Sequence, residues 1–372
     1  MDFNYSKEQK MYKDSARTFF KKEWSFELLR EVIKGKGYAP DLWSKAADLG
    51  WQGMLIDEEY GGVGGTFLDI CPILEEIGSA SFTSPLFASC IMGASIISES
   101  AGAEIKEKIL PLIADGDAII TLAFTEFANG WSEDSINMTA EKEDNEYILS
   151  GTKLFVPFAD ASNYIICCAR DNSTDKASLF LVDSKAEGLD CLPLQTFSTE
   201  RYNKVVFEKV RVSEENIIGQ LGHGFDIIEK LMPLLVVSRC VEMIGGLQKT
   251  LEMTIQYIKE RKQFGVPLGS FQALQHKCSE MAIDIEASKY ITYKAAWKLS
   301  ENLPCRKDVS MAKAWTGDAF QRVSVCAHQL HGAMGFTEES DLHFYYKQAK
   351  SMQLMYGGSS YHRKIVAEET GY

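Results

Sequence analysis

The feature that most constrains this chain is a change in the spacing of its apolar residues, made twice. Residues 117 to 220 carry short apolar runs of strand length, AIITLAF, EYILSGTKLFV, NYIICCAR, SLFLV and KVVFEKVRV, separated by Asp, Asn, Gly and Ser. On either side the apolar residues recur at helical spacing: Phe3, Met11, Phe19, Phe20, Leu42, Trp43, Ala46, Leu49, Ile70, Leu74 and Ile77 before, and Ile244, Leu247, Leu251, Ile255 and Ile258 after. Strand runs with turn signals and no helices between them imply an antiparallel barrel or sandwich. Later stripes through Leu274, Met281 and Ile285, and through Val309, Ala312, Trp315, Ala319 and Val323, imply a four-helix bundle. The expected architecture is therefore multidomain α+β: a helical domain over 1–116, a middle β domain over 117–220 and a helical bundle over 221–372.

Composition narrows the partners. A net charge of −13 repels nucleic-acid backbones and anionic membranes. Nine scattered cysteines without a C-x-x-C pair read as reduced residues of a cytoplasmic protein, and no apolar run approaches the roughly 20 residues of a membrane span. GGVGG at 61–65 has no GK[ST] after it and reads as a loop. His328 and His331 lack an acid or cysteine at ligand spacing, which favours a structural role over metal binding. No G-x-S-x-G elbow is present, so serine hydrolase chemistry has no starting point.

The informative stretch is YIKERKQFGVPLGSFQALQHKCSEMAID, residues 257 to 284. On physical grounds it is a helix ending in a basic cluster, a turn, and a second helix. It resembles the ERKQFG-x-P-[LI]-x-x-[FH]-Q motif of the acyl-CoA dehydrogenase family. FNYSKEQKMYKD, DEEYGG at 57–62, VFEKVRVSEENIIG at 206–219 and HQLHGAMGFTEE at 328–339 extend the resemblance over the chain.

That resemblance implies an FAD-dependent oxidoreductase acting on an acyl-CoA thioester, with electron-transfer flavoprotein as acceptor if active. It also implies a homodimer, a homotetramer or a heteromer with a homologous subunit, the FAD pyrophosphate crossing the interface. It assigns Arg261, Gln263 and Phe264, with Gln329, Gly332 and Ala333, to that cross-subunit contact. Arg261 offers planar charged donors to phosphate, and small residues let backbone N–H groups approach. Phe124, Thr125, Phe155, Pro157 and Ser359 complete the cofactor positions implied.

The catalytic half departs from the family pattern. Where T-E-P-x-A-G-S-D is common, this chain has Thr125, Glu126, Phe127, Ala128, Asn129, Gly130, Trp131 and Ser132. Where the family has W-I-T-N, with a Thr hydroxyl at the flavin N5 edge, Phe155, Val156, Pro157 and Phe158 stand, and proline has neither hydroxyl nor N–H. MYGGSSYHRK, residues 355–364, matches Y-E-G-T-x-x-x-R, whose Glu removes the substrate's α-proton; Gly357 takes its place. The alternative base position, counted back from Arg261, falls on Leu235, followed by Val236. Glu229 and Glu242 lie almost two turns away on the same helix. Three readings follow: an enzyme with displaced acid/base chemistry and no assigned catalytic residue; a degenerate subunit lending its FAD pyrophosphate site to a partner; and a flavin monooxygenase-like member of the fold.

Overall fold

The structure, a computed structural model, describes residues 5–127 and 132–372; Phe3 and the positions 128–131 lie outside them. The chain begins with α1 (Lys7–Glu23), started by Ser6, whose side chain and that of Gln9 cap each other's backbone N–H. Helices α2 (Phe26–Lys34), α3 (Pro40–Asp48), α4 (Phe67–Ala80), α5 (Ala94–Ser100) and α6 (Ala103–Ala114) follow, with one wide-turn helical segment over Phe87–Gly93. Phe19, Phe20, Trp51 and Phe82 form an aromatic cluster of edge-to-face and tilted ring pairs among these helices. Met11 and Leu49, part of the sequence stripe, are instead exposed.

Strands β1 (Ile120–Ala123), β2 (Thr139–Glu143), β3 (Glu146–Pro157), β4 (Tyr164–Asp171), β5 (Lys176–Asp183), β6 (Leu189–Leu194), β7 (Tyr202–Ser213) and β8 (Ile217–Ile218) make one sheet. Its order is β6–β7–β3–β2–β4–β5–β8, with β1 paired to β4. Most pairings are antiparallel, as the turn-rich sequence implies. Two differ: β1 and β2 both run parallel to β4, because residues between them supply the crossovers that parallel pairs need. The β3–β7 ladder slips between Lys153 and Val156, a bulge that swings Phe155 outward at φ 52°.

The C-terminal helices are α7 (Gly224–Glu260), α8 (Gln272–Ser300), α9 (Arg306–His331), α10 (Leu342–Leu354) and α11 (Ser359–Thr370), with a short hairpin, β9 (Lys262–Gln263) and β10 (Val266–Pro267), between α7 and α8. α7 packs on α8, α9 and α10, and on α4 of the N-terminal helices. The α4–α7 crossing brings backbones together: a Cβ on Gly78 would stand 1.9 Å from the Glu242 carbonyl oxygen, and one on Gly245 would stand 1.8 Å from that of Glu75. Trp315, expected on a buried stripe, is half-exposed on α9, with the Arg322 guanidinium 5.3 Å from its ring. No helix among the described residues is long and apolar enough to cross a membrane.

Candidate functional site

Two groups of positions matter. The first lies at one end of the bundle. Tyr257, four residues before Arg261, stacks on His331 at 4.3 Å and donates to its carbonyl, so the α7 end and the turn after α9 are tied together. Beyond that tie, the β9–β10 hairpin carries Arg261 and Gln263, both exposed, and Phe264, 90% exposed at φ 54°. Arg261 has no ion-pair partner among the described residues. Gly332 sits at φ 61° with nothing within 4 Å of where a Cβ would be, Ala333 is exposed, and Gln329 borders a groove of about 640 Å³ between α8 and α9. A guanidinium without an ion pair and an uncovered glycine backbone suit a phosphate-bearing ligand. His328 and His331 each hydrogen-bond a carbonyl one turn back through Nδ1, and no group of three or more metal-ligating side chains occurs among the described residues.

The second group lies where the β domain meets α7. Phe124 packs against Phe225 of α7 at 6.4 Å, and the Thr125 carbonyl accepts from Leu154 N. The loop they belong to is held from beneath by Lys153, which is buried and donates to Glu126 at 2.6 Å and to the Phe124 carbonyl at 3.2 Å. Pro157 is buried, its carbonyl taken by the Thr121 hydroxyl, while Phe155 projects outward. Ser359 is turned inward, donating to Asp318 at 2.6 Å, and is not grouped with these residues. Residues 128–131 of the divergent loop lie outside the described residues; Ser132 accepts, through its carbonyl, from Ser135.

Between Leu235 and Gly357 lies a buried charge cluster that sequence reasoning passed over. Arg239, one helical turn beyond Leu235 on the same face, is 2% exposed. It donates to both oxygens of Glu200 at 2.6 and 2.8 Å, and to Glu242 at 2.7 Å. Its guanidinium carbon stands 3.6 Å from the Phe87 ring centre, and Phe87 in turn stacks on Tyr356, the residue before Gly357. Tyr202 donates to Glu200 at 2.7 Å. Burial pushes the Glu242 carboxyl up to about 7 against the pull of Arg239, and raises both tyrosines. Leu235, Val236 and Phe87 are all buried beside the cluster, at most 4% exposed. The signal was legible: Arg239 and Glu242 are the charged residues in the otherwise uncharged run 231–248, which marks charges carried into a core.

The Gly357 turn is closed as well. Gly357 takes φ 96°, and a Cβ there would stand 2.4 Å from the Tyr361 ring. Tyr356 before it is a non-glycine residue at φ 55°, held by His362, whose Nε2 reaches the Tyr356 carbonyl at 3.0 Å while Nδ1 meets the Ser310 hydroxyl at 3.2 Å. Burial lowers His362 to about 4, leaving it neutral with one nitrogen donating and the other accepting.

Comparison with known proteins gives this geometry its frame. Residues 6–117, 121–210 and 222–371 match the N-terminal, middle and C-terminal domains described for acyl-CoA dehydrogenase. The chain belongs to the acyl-CoA dehydrogenase family. A probable acyl-CoA dehydrogenase of Bacillus subtilis is 29% identical over 99% of each chain. The butyryl-CoA dehydrogenase of Megasphaera elsdenii superposes with a TM-score of 0.91 at 27% identity over all of both chains. A chain of the ChsE4–ChsE5 complex of Mycobacterium tuberculosis does so with a TM-score of 0.91 at 25% identity, again over all of both. Members of the family are FAD flavoproteins and oxidoreductases.

Proposed function

We propose that this chain is a subunit of a heteromeric acyl-CoA dehydrogenase that lends its FAD phosphate-binding end to a homologous partner and performs no α,β-dehydrogenation in a pocket of its own. The observation that carries this reading is the Glu200–Arg239–Glu242 cluster. Through Phe87 and Tyr356 it links the helix that carries Leu235 to the turn that carries Gly357, the two positions where the family places its base. FAD, when bound, supplies a hydride acceptor. Arg261 and the backbone around Gly332 would hold its phosphates, Gln263, Gln329 and Ala333 would line their path, and Phe264 would pack across the interface. Phe124, Thr125, Phe155 and Pro157 would lie at the flavin end, where proline offers no donor.

Displaced acid/base chemistry in this chain would need a carboxylate facing the substrate. Glu242 is bound to Arg239 and buried, and Glu200, partly exposed, has both carboxylate oxygens engaged by the same guanidinium. A base typically contributes roughly 10² to 10⁴ in rate, and an occluded one contributes none of it. The solved complex of two chains in a relative supports a two-chain arrangement.

The test is turnover of a panel of saturated acyl-CoAs with an artificial electron acceptor, by the chain reconstituted with FAD and by the chain co-expressed with a homologous subunit. Activity is expected only with the partner. Gly357→Glu in the isolated chain is expected to remain inactive, because its φ and Tyr361 oppose a side chain there. Turnover by the isolated wild type would return the reading to an enzyme with its own, differently placed base.

A further inference from the structure

Around Arg239 two carboxylates face one guanidinium: the cluster is neutral while Glu242, raised to about 7 by burial, holds its proton, and carries one negative charge once Glu242 ionises. Tyr202 and Tyr356 face it as neutral phenols, since burial raises both. Lys313, which faces Cys240 of α7, is committed to the carbonyls of Met352 and Gln353 at the end of α10, at 2.8 Å each.

Against this cluster lies a small cavity lined by Ser81, Ser198, Glu200, Glu242, Gln348 and Ser351, with about 10 Å³ open to the centre of a water-sized particle. That is room for one such particle. Two of the lining residues, Ser81 and Gln348, carry a buried side-chain oxygen, Oγ and Oε1, with no hydrogen-bond partner among the described residues. One oxygen of Glu242 is bound to Arg239; the other accepts no hydrogen bond among the described residues. Ser81 also caps the C-terminal, negative end of α4, whose last turn contains no basic residue; its Ser79 and Ala80 carbonyls meet only the neutral donors of Tyr345 and Trp24.

We propose that this cavity binds one dehydrated monovalent cation of water size, potassium or ammonium, held by Ser81, Gln348 and the free oxygen of Glu242. A water molecule would satisfy the orphaned oxygens, but only a cation would also answer the negative charge of the cluster when Glu242 is ionised. A divalent ion would exceed that charge, and the three or more acidic, histidine or cysteine ligands that would hold one are not grouped among the described residues. The cation would complete the charge balance of the joint where α4, α7, α10 and the loop before β7 meet, and this does not depend on which subunit carries the chemistry.

The test is thermal unfolding of the full chain in potassium, ammonium or tetramethylammonium chloride at one pH and ionic strength. A ligand that binds only the folded state raises the midpoint with saturable concentration dependence. Potassium or ammonium is expected to raise it by a few degrees over tetramethylammonium, which is too large for the cavity. Glu242→Gln, which keeps an acceptor for Arg239, and Ser81→Ala are expected to remove that difference. Equal midpoints in the three salts, or an undiminished difference in Ser81→Ala and Glu242→Gln, would overturn the site. Should Glu242→Gln fail to fold, crystals of wild type grown with thallium decide: an anomalous peak bounded by Ser81 and Gln348 supports the site, and its absence there rules it out.

Discussion

Arg239 is the residue on which the account turns. A guanidinium closed away from water is stable only because two carboxylates and an aromatic face receive it, and removing one member leaves the rest as uncompensated buried charge. Arg239→Met is therefore expected to cost about 3–5 kcal/mol, measured by chemical denaturation. Adding Glu200→Gln and Glu242→Gln to it should recover much of that loss, since the charges are then removed together; a triple variant no better than the single one would show that packing, not charge, holds the cluster. His362 gives a second residue-scale expectation. Its folded pKa, about 4, lies below the 6.5 of the free side chain, so the unfolded chain binds the extra proton. Stability from this group is thus present above about 6.5 and lost as pH falls toward 4. His362→Leu should flatten the slope of unfolding free energy against pH across that window relative to wild type, and an unchanged slope would mean His362 is not held neutral.

At the scale of elements, the α4–α7 crossing positions the cluster, because Glu242 and Gly245 face Gly78 and Glu75 across it. Two backbones this close leave no room for a methyl group. Gly78→Ala and Gly245→Ala are each expected to destabilise by about 1–3 kcal/mol or more through overpacking. Gly102→Ala, where a Cβ would meet nothing within 4 Å, serves as the uncrowded control in the same melting experiment, its cost limited to the poorer N-cap it gives α6. The elements themselves were largely legible: the strand runs and the stripes through Ile244, Leu247 and Ile258 mark buried faces because spacing reports which side meets the core. Arg239 was not recognised, since pairing with Glu200, 39 residues earlier, depends on a long-range contact that spacing along one helix does not encode. Nor did the sequence convey that Tyr361 backs Gly357, or that Ser359 turns toward Asp318, for both depend on how α11 packs on α9.

At the scale of the whole molecule, the chain keeps an outward set of residues at one end of its bundle and a charge cluster beside the positions that correspond to the family's base. Arg261 is exposed without an ion pair among the described residues, and Phe264 is exposed with its ring edge-on to Phe271. Arg261→Ala is expected to weaken any FAD binding at least tenfold while leaving the melting temperature unchanged, because its side chain has no ion pair to lose among the described residues. The most direct test of the central claim, that this chain grips FAD for a partner, is the flavin absorbance of the dialysed protein, expressed alone and with a homologous subunit. The account predicts little or substoichiometric flavin in the chain alone and full occupancy in the co-expressed complex. Tight, stoichiometric yellow flavin in the isolated chain would contradict it.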